Sequence, residues 1–113
     1  RAIVHTHSVY ATAISVTHGE IPFFLDEMYY SLGACSVPTA RYAPSGSQEL
    51  AQNVVQALGE KGKAVLLANH GTVALGTDMK QAFGVSEALE KAAMIFILAR
   101  LHGQVTTLEQ YFS

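Results

Sequence analysis

Apolar and polar positions alternate at the start of the chain and then change to a helical spacing. In Ala2-Ile3-Val4-His5-Thr6-His7 the period of two predicts a strand, with Ile3, His5 and His7 on one face and Ala2, Val4 and Thr6 on the other. From Ser8, a suitable N-cap, the positions of Tyr10, Ala13, Ile14 and Val16 predict a helix that ends at His18-Gly19. Pro22 biases Ile21 toward an extended connector. A short helix is predicted over 26–32, with Met28, Tyr29 and Tyr30 as its bulky content and Gly33 as its stop. The segment 36–42 reads as a strand, and Pro38 makes it an edge strand or one with an irregular entry.

Further on, Ser45 and Gln48 have the spacing of a capping box, followed by Leu50, Val54, Val55 and Leu58 at helical intervals. Gly59 and Gly62 close that helix and open a strand over 64–69. A tight turn at Gly71 and a second apolar run over 72–76 predict a hairpin around His70. Thr77 is the predicted cap of a long helix from Asp78 to His102, with Ala82, Val85, Leu89, Ala92, Phe96 and Ala99 along one side and Gly103 as its stop. Between Ala92 and Leu98 this helix is apolar nearly all round, which predicts burial against another subunit as well as the sheet. Alternating strands and helices give an α/β chain with a mixed sheet covered by helices.

Candidate chemistry concentrates on histidine. His5 and His7 share a strand face, but two imidazoles hold zinc weakly, so a metal site needs a third ligand. His70, closing the apolar run from Ala64, is the candidate, although a lone histidine at such a place is more often a half-buried residue bonded to backbone. Spacing alone does not bring His70 to the pair.

Composition narrows the function classes. At 113 residues the chain is a single domain at most, and with half its residues hydrophobic it is not a disordered segment. A net charge of -2 and scattered Lys and Arg argue against nucleic-acid binding. No apolar stretch reaches membrane-spanning length, so no membrane partner is expected. The single Cys35 forms no internal disulfide, which suits the cytoplasm, and is expected to be a small buried thiol. Because the chain opens inside a strand-like segment, it reads as a piece of a longer protein that lacks an N-terminal segment.

The stretches His5-Thr6-His7-Ser8, Tyr42-Ala43-Pro44-Ser45-Gly46-Ser47-Gln48-Glu49-Leu50 and Leu66-Leu67-Ala68-Asn69-His70-Gly71, with the helix around Ala82-Phe83 to Ala93, occur here in an order that resembles the class II aldolase/adducin family, nearest to its sugar-phosphate aldolases. The resemblance implies a three-layer α/β/α sandwich with a mainly antiparallel or mixed sheet, assembled as a homotetramer with sites between subunits. It also implies that His5, His7 and His70 are the ligands of a zinc ion, or of another divalent metal. Such an ion would stabilise the enediolate formed when a sugar phosphate is cleaved to dihydroxyacetone phosphate and an aldehyde. In the family the main acid/base and the phosphate-binding residues lie upstream of the position matched by Arg1. Where fuculose-phosphate aldolases carry a proton-donating tyrosine, this chain has Asp26, followed by Glu27, and either carboxylate could serve as an acid or only favour a helix N-terminus. The same three-histidine site also serves epimerases, a dehydratase and decarboxylases, and adducin keeps the domain without catalysis.

Overall fold

The computed structural model describes residues 1–33 and 35–112. Its core is a four-stranded sheet of β1 (Ala2–Thr6), β2 (Thr39–Ala40), β3 (Ala64–Leu67) and β4 (Gly71–Gly76), in the order β1-β4-β3-β2. β4 pairs antiparallel with both β1 and β3, while β2 joins β3 in parallel. The sheet is therefore mixed and mainly antiparallel, as expected.

Register decides which side chains share a face. Val4 lies opposite Ala74, and Thr6 opposite Thr72; Ala64 and Leu66 continue that face across β3. It is covered by α1 (Val9–Val16) and α4 (Met79–His102), with Phe23 and Ile21 filling the space beneath them. On the opposite face Ala40, Val65, Leu67 and Val73 pack against Leu50, Val54, Ala57 and Leu58, the last four contributed by α3 (Gln48–Leu58). Two helical layers thus enclose one sheet in an α/β/α sandwich. α3 spans the β2–β3 half only, and on the β1 side Ile3 stays 61% exposed.

The two long helices begin where local chemistry stops the preceding chain. Ser47 caps α3 by accepting the Leu50 N–H at 3.1 Å, so the cap lies two residues beyond the Ser45 predicted for it. Ser45 and Gly46 instead form a turn, which Gly46 accommodates at φ 79°. Asp78, one residue past Thr77, caps α4 by accepting the Gln81 N–H at 2.8 Å, while Gln81 Oε1 accepts from Thr77 N at 2.7 Å. This reciprocal pair satisfies two N–H groups at the start of the helix. The predicted buried side of α4 is correct at Ala82, Val85, Leu89, Ala92 and Phe96.

Other expectations need correction. In α1 the buried residues are Ala11, Ile14 and Ser15, and Ala13 and Val16 face outward, because the helix meets the sheet one step round from the predicted stripe. The predicted strand over 36–42 shrinks to two residues, with Val37 making a separate bridge to Ile21. Cys35 is exposed and not buried, since the chain bends at the surface between α2 (Asp26–Ser31) and that bridge. Of the bulky content predicted for the short helix, Met28 is buried, whereas Tyr30 is 81% exposed and contacts Tyr29 at its edge. No helix among the described residues is long and apolar enough to cross a membrane.

Candidate metal centre

His5 and His7 leave β1 on its outward-facing side, as the alternation requires. β4 runs beside β1 with Thr6 opposite Thr72, so the turn that precedes β4 lies next to the end of β1. His70 is the last residue of that turn, and its backbone N–H bonds back to the Leu67 carbonyl at 3.0 Å. One ring nitrogen from each of His5, His7 and His70 falls within 4.8 Å of the others, and the ring centroids are 4.9–5.0 Å apart. Neither Asp26 nor Glu27 belongs to this group.

Hydrogen bonding fixes the orientation of the His5 ring. His5 Nδ1–H donates to the Thr72 carbonyl at 2.8 Å, which makes Nε2 the ring's acceptor nitrogen. That Nε2 stands 3.2 Å from Nε2 of His7. Two nitrogens bound at about 2.0–2.1 Å to a tetrahedral zinc would lie about 3.3 Å apart. Three imidazoles at this spacing are a donor set suited to zinc or a similar divalent ion. Burial, followed by the nearby His5 and His7 rings, holds the His70 pKa below the ordinary histidine value. His70 is thereby kept in the neutral form that binds a metal.

Gly71 has a different role from the turn residue predicted from sequence. The turn is made by Ala68, Asn69 and His70, and Gly71 is the first residue of β4. A Cβ at Gly71 would stand 2.2 Å from the Thr6 carbonyl oxygen and 2.9 Å from Cδ2 of His7. Only glycine lets β4 approach β1 this closely beside the histidines.

Residues distant in sequence hold the frame around the site. Glu90 of α4 accepts from the backbone N–H groups of Tyr10 and Ala11, both at 2.9 Å, and so caps the helix that starts two residues after His7. Ser8 occupies the N-cap position without a side-chain cap bond. At the other end of α1, His18 and Asn69 are the two non-glycine residues with positive φ among those described, and their side chains bond to each other. Neither Glu90 nor His18 has a local signal in the sequence for these roles. The one available hint was Asn69 itself, a residue type that tolerates the left-handed region, directly before His70.

The two carboxylates sit in the first turn of α2, whose N-cap position is held by Leu25 with no side-chain cap bond. Glu27 pairs with Lys91 of α4 at 3.2 Å, and Asp26 is exposed beside Tyr29, Tyr30 and Phe112. His102 ends α4, apart from the histidine group.

Comparison with known proteins gives the geometry a family. L-fuculose phosphate aldolase of Escherichia coli (strain K12) is 34% identical over 96 residues, covering 85% of this chain and 44% of the relative. The 5-deoxy-D-ribulose 1-phosphate aldolase of a Bacillus thuringiensis strain is 34% identical over 103 residues, covering 91% and 47%. The chain thus spans less than half the length of these curated relatives. A solved L-fuculose 1-phosphate aldolase superposes with a TM-score of 0.87 at 37% identity, over 94% of this chain and 49% of that one. The profile of the Class II Aldolase and Adducin N-terminal domain matches residues 1–97, and the chain therefore belongs to that family.

Proposed function

We propose that His5, His7 and His70 hold a divalent cation, zinc in the first instance, and that the chain is the metal-bearing part of a sugar-phosphate aldolase. The observation that carries this reading is the meeting of three imidazole nitrogens within 4.8 Å, with the His5 tautomer set by the Thr72 carbonyl. Relatives named as aldolases of fuculose phosphate and deoxyribulose phosphate support a ketose 1-phosphate as substrate. A bound divalent ion supplies Lewis acidity toward a carbonyl oxygen.

The chain's own residues supply the rest of what the reading needs. Three protein ligands leave a coordination position open to substrate, the mark of a catalytic site as against a structural one. Thr72 orients His5, and Gly71 keeps His7 close to the turn that carries His70. With Glu27 engaged by Lys91, Asp26 is the better placed of the two carboxylates to act as a proton donor, and it would do so toward the site of a neighbouring copy. On this reading the main acid/base and the phosphate-binding groups would come from the part of the relatives that this chain does not span.

A homotetramer is the assembly we propose, supported by Val16, Leu98 and Leu101 on the outer surface, 56%, 52% and 81% exposed. The lone cysteine fits the cytoplasm as its compartment. Metal analysis of the purified chain, with cleavage assays on fuculose and deoxyribulose 1-phosphates using the full-length parent before and after chelation, tests the reading. One metal equivalent and chelator-sensitive cleavage are expected. A chain without stoichiometric metal would instead be an assembly module of the adducin type, and cleavage that survives complete metal removal would refute the aldolase assignment.

A further inference from the structure

The two ends of the metal site arrive by different routes. His5 and His7 are fixed by the pairing of β1 with β4, whereas His70 rides on the three-residue turn between β3 and β4. The turn is closed by the Leu67–Gly71 pair and by the His70 N–H bond to the Leu67 carbonyl, and a further tie holds Asn69 from the side of α1.

The tie runs through α1. This helix begins two residues after His7 and is eight residues long, about 12 Å at 1.5 Å per residue. At its far end the carbonyl of Ser15, a fully buried residue, accepts from His18 N at 3.1 Å and from Asn69 N at 3.3 Å. Helix end and metal-bearing turn therefore share one acceptor. His18 Nε2–H then donates to Asn69 Oδ1 at 2.5 Å. Both residues adopt left-handed backbone, His18 at φ 57° and Asn69 at φ 59°. Non-glycine residues enter that region at a cost, which surrounding contacts must offset. Here the offsetting contact is the bond each makes to the other.

We propose that His18 and Asn69 form a clasp that positions the metal ligand His70, with His18 acting as a positioning residue and not as a ligand. The inference rests on the metal reading given above. α1 is clamped at its start by Glu90, next to His7, and at its end by the clasp, next to His70. The helix that follows His7 is thereby tied at its far end to the turn that carries His70. Loss of the clasp frees the turn, and His70 must then be ordered by the metal itself, which weakens binding.

The test measures Zn²⁺ and Co²⁺ affinity of the purified chain by competition with a chromophoric chelator, alongside the visible absorption of the Co²⁺ form and the melting temperature of the metal-free chain. His18→Ala removes the donor at an exposed position. Asn69→Gly removes the acceptor while keeping left-handed backbone accessible. Each should weaken metal binding about tenfold, the lower end of what outer-shell partners of ligands contribute, and alter the Co²⁺ bands. His18→Gln restores an N–H donor at the Nε2 position and should return both affinity and spectrum toward those of the unaltered chain. Unchanged affinity in His18→Ala overturns the clasp and leaves the metal reading intact. Weakened binding that His18→Gln fails to restore overturns it as well, since the loss would then come from packing. If the unaltered chain binds no stoichiometric metal, the metal reading fails and the clasp has nothing to position.

Discussion

Gly71 and His7 are in contact because β4 carries no side chain at that point: a Cβ on Gly71 would stand 2.9 Å from Cδ2 of the His7 ring and 2.2 Å from the carbonyl oxygen of Thr6. The second clash is with backbone inside the β1–β4 ladder, which cannot move aside as the end of a flexible side chain can. Gly71→Ala is therefore expected to force the two strands apart, with a loss of about 2–3 kcal/mol in unfolding free energy. Chemical denaturation measures it. An unchanged midpoint would mean that the strands are not held at this separation.

On the proposed metal reading, each of the three histidines should matter more than any residue that supports it. His5→Ala, His7→Ala and His70→Ala are each expected to lower zinc affinity by roughly 100-fold or more, since outer-shell partners alone account for about 10–100-fold. His5 and His7 are exposed, so their variants should keep the far-ultraviolet dichroism of the unaltered chain. Chelator competition supplies the affinities, and a loss confined to one histidine would argue against a shared ion.

Glu90 makes a separate and purely structural prediction. Its carboxylate accepts from Tyr10 N and Ala11 N at the start of α1. Glu90→Ala leaves two helix-terminal N–H groups without that partner and should destabilise the chain by about 1–2 kcal/mol, as loss of an N-cap does. Glu90→Gln keeps one good acceptor and should lie between the two. Equal stability of all three proteins, measured by urea unfolding, would rule out the cap.

His70 gives the chain a pH dependence of known sign. Burial, with smaller contributions from His5 and His7, lowers its folded-state pKa, so the unfolded chain takes up this proton first as pH falls. The stabilisation from keeping His70 neutral is fully present above the unfolded histidine pKa of about 6.5 and is lost as pH drops through the lower folded value. Metal-free melting curves between neutral and mildly acidic pH should show this decline, and His70→Asn should flatten it. An equal slope in the variant would assign the effect to another group.

Much of this architecture was legible from local patterns. The long helix α4 and the face it buries follow from 3.6-residue spacing sustained over twenty-four residues, long enough for small local errors to average out. Short elements were read less well. β2 is only two residues long, and its extent depends on pairing with β3, which a period-two pattern over 36–42 does not reveal. The caps of α3 and α4 each fell beyond the predicted residue, by two positions and one, because Ser45, Ser47, Thr77 and Asp78 are all acceptable cap types. Three-dimensional hydrogen bonding chose among them.

The site divides along the same line. Alternation along one strand was sufficient to put His5 and His7 on a common face, since adjacent Cβ atoms of extended chain point in opposite directions whatever surrounds them. Resemblance to a family pointed to His70 as their partner. Their meeting in space was decided by tertiary structure: the register that sets Thr6 against Thr72, the bare backbone of Gly71 that lets the strands close, and the Thr72 carbonyl that turns His5. Each of these joins residues more than sixty positions apart. Local sequence carries no information about such contacts, because they exist only once the strands have paired.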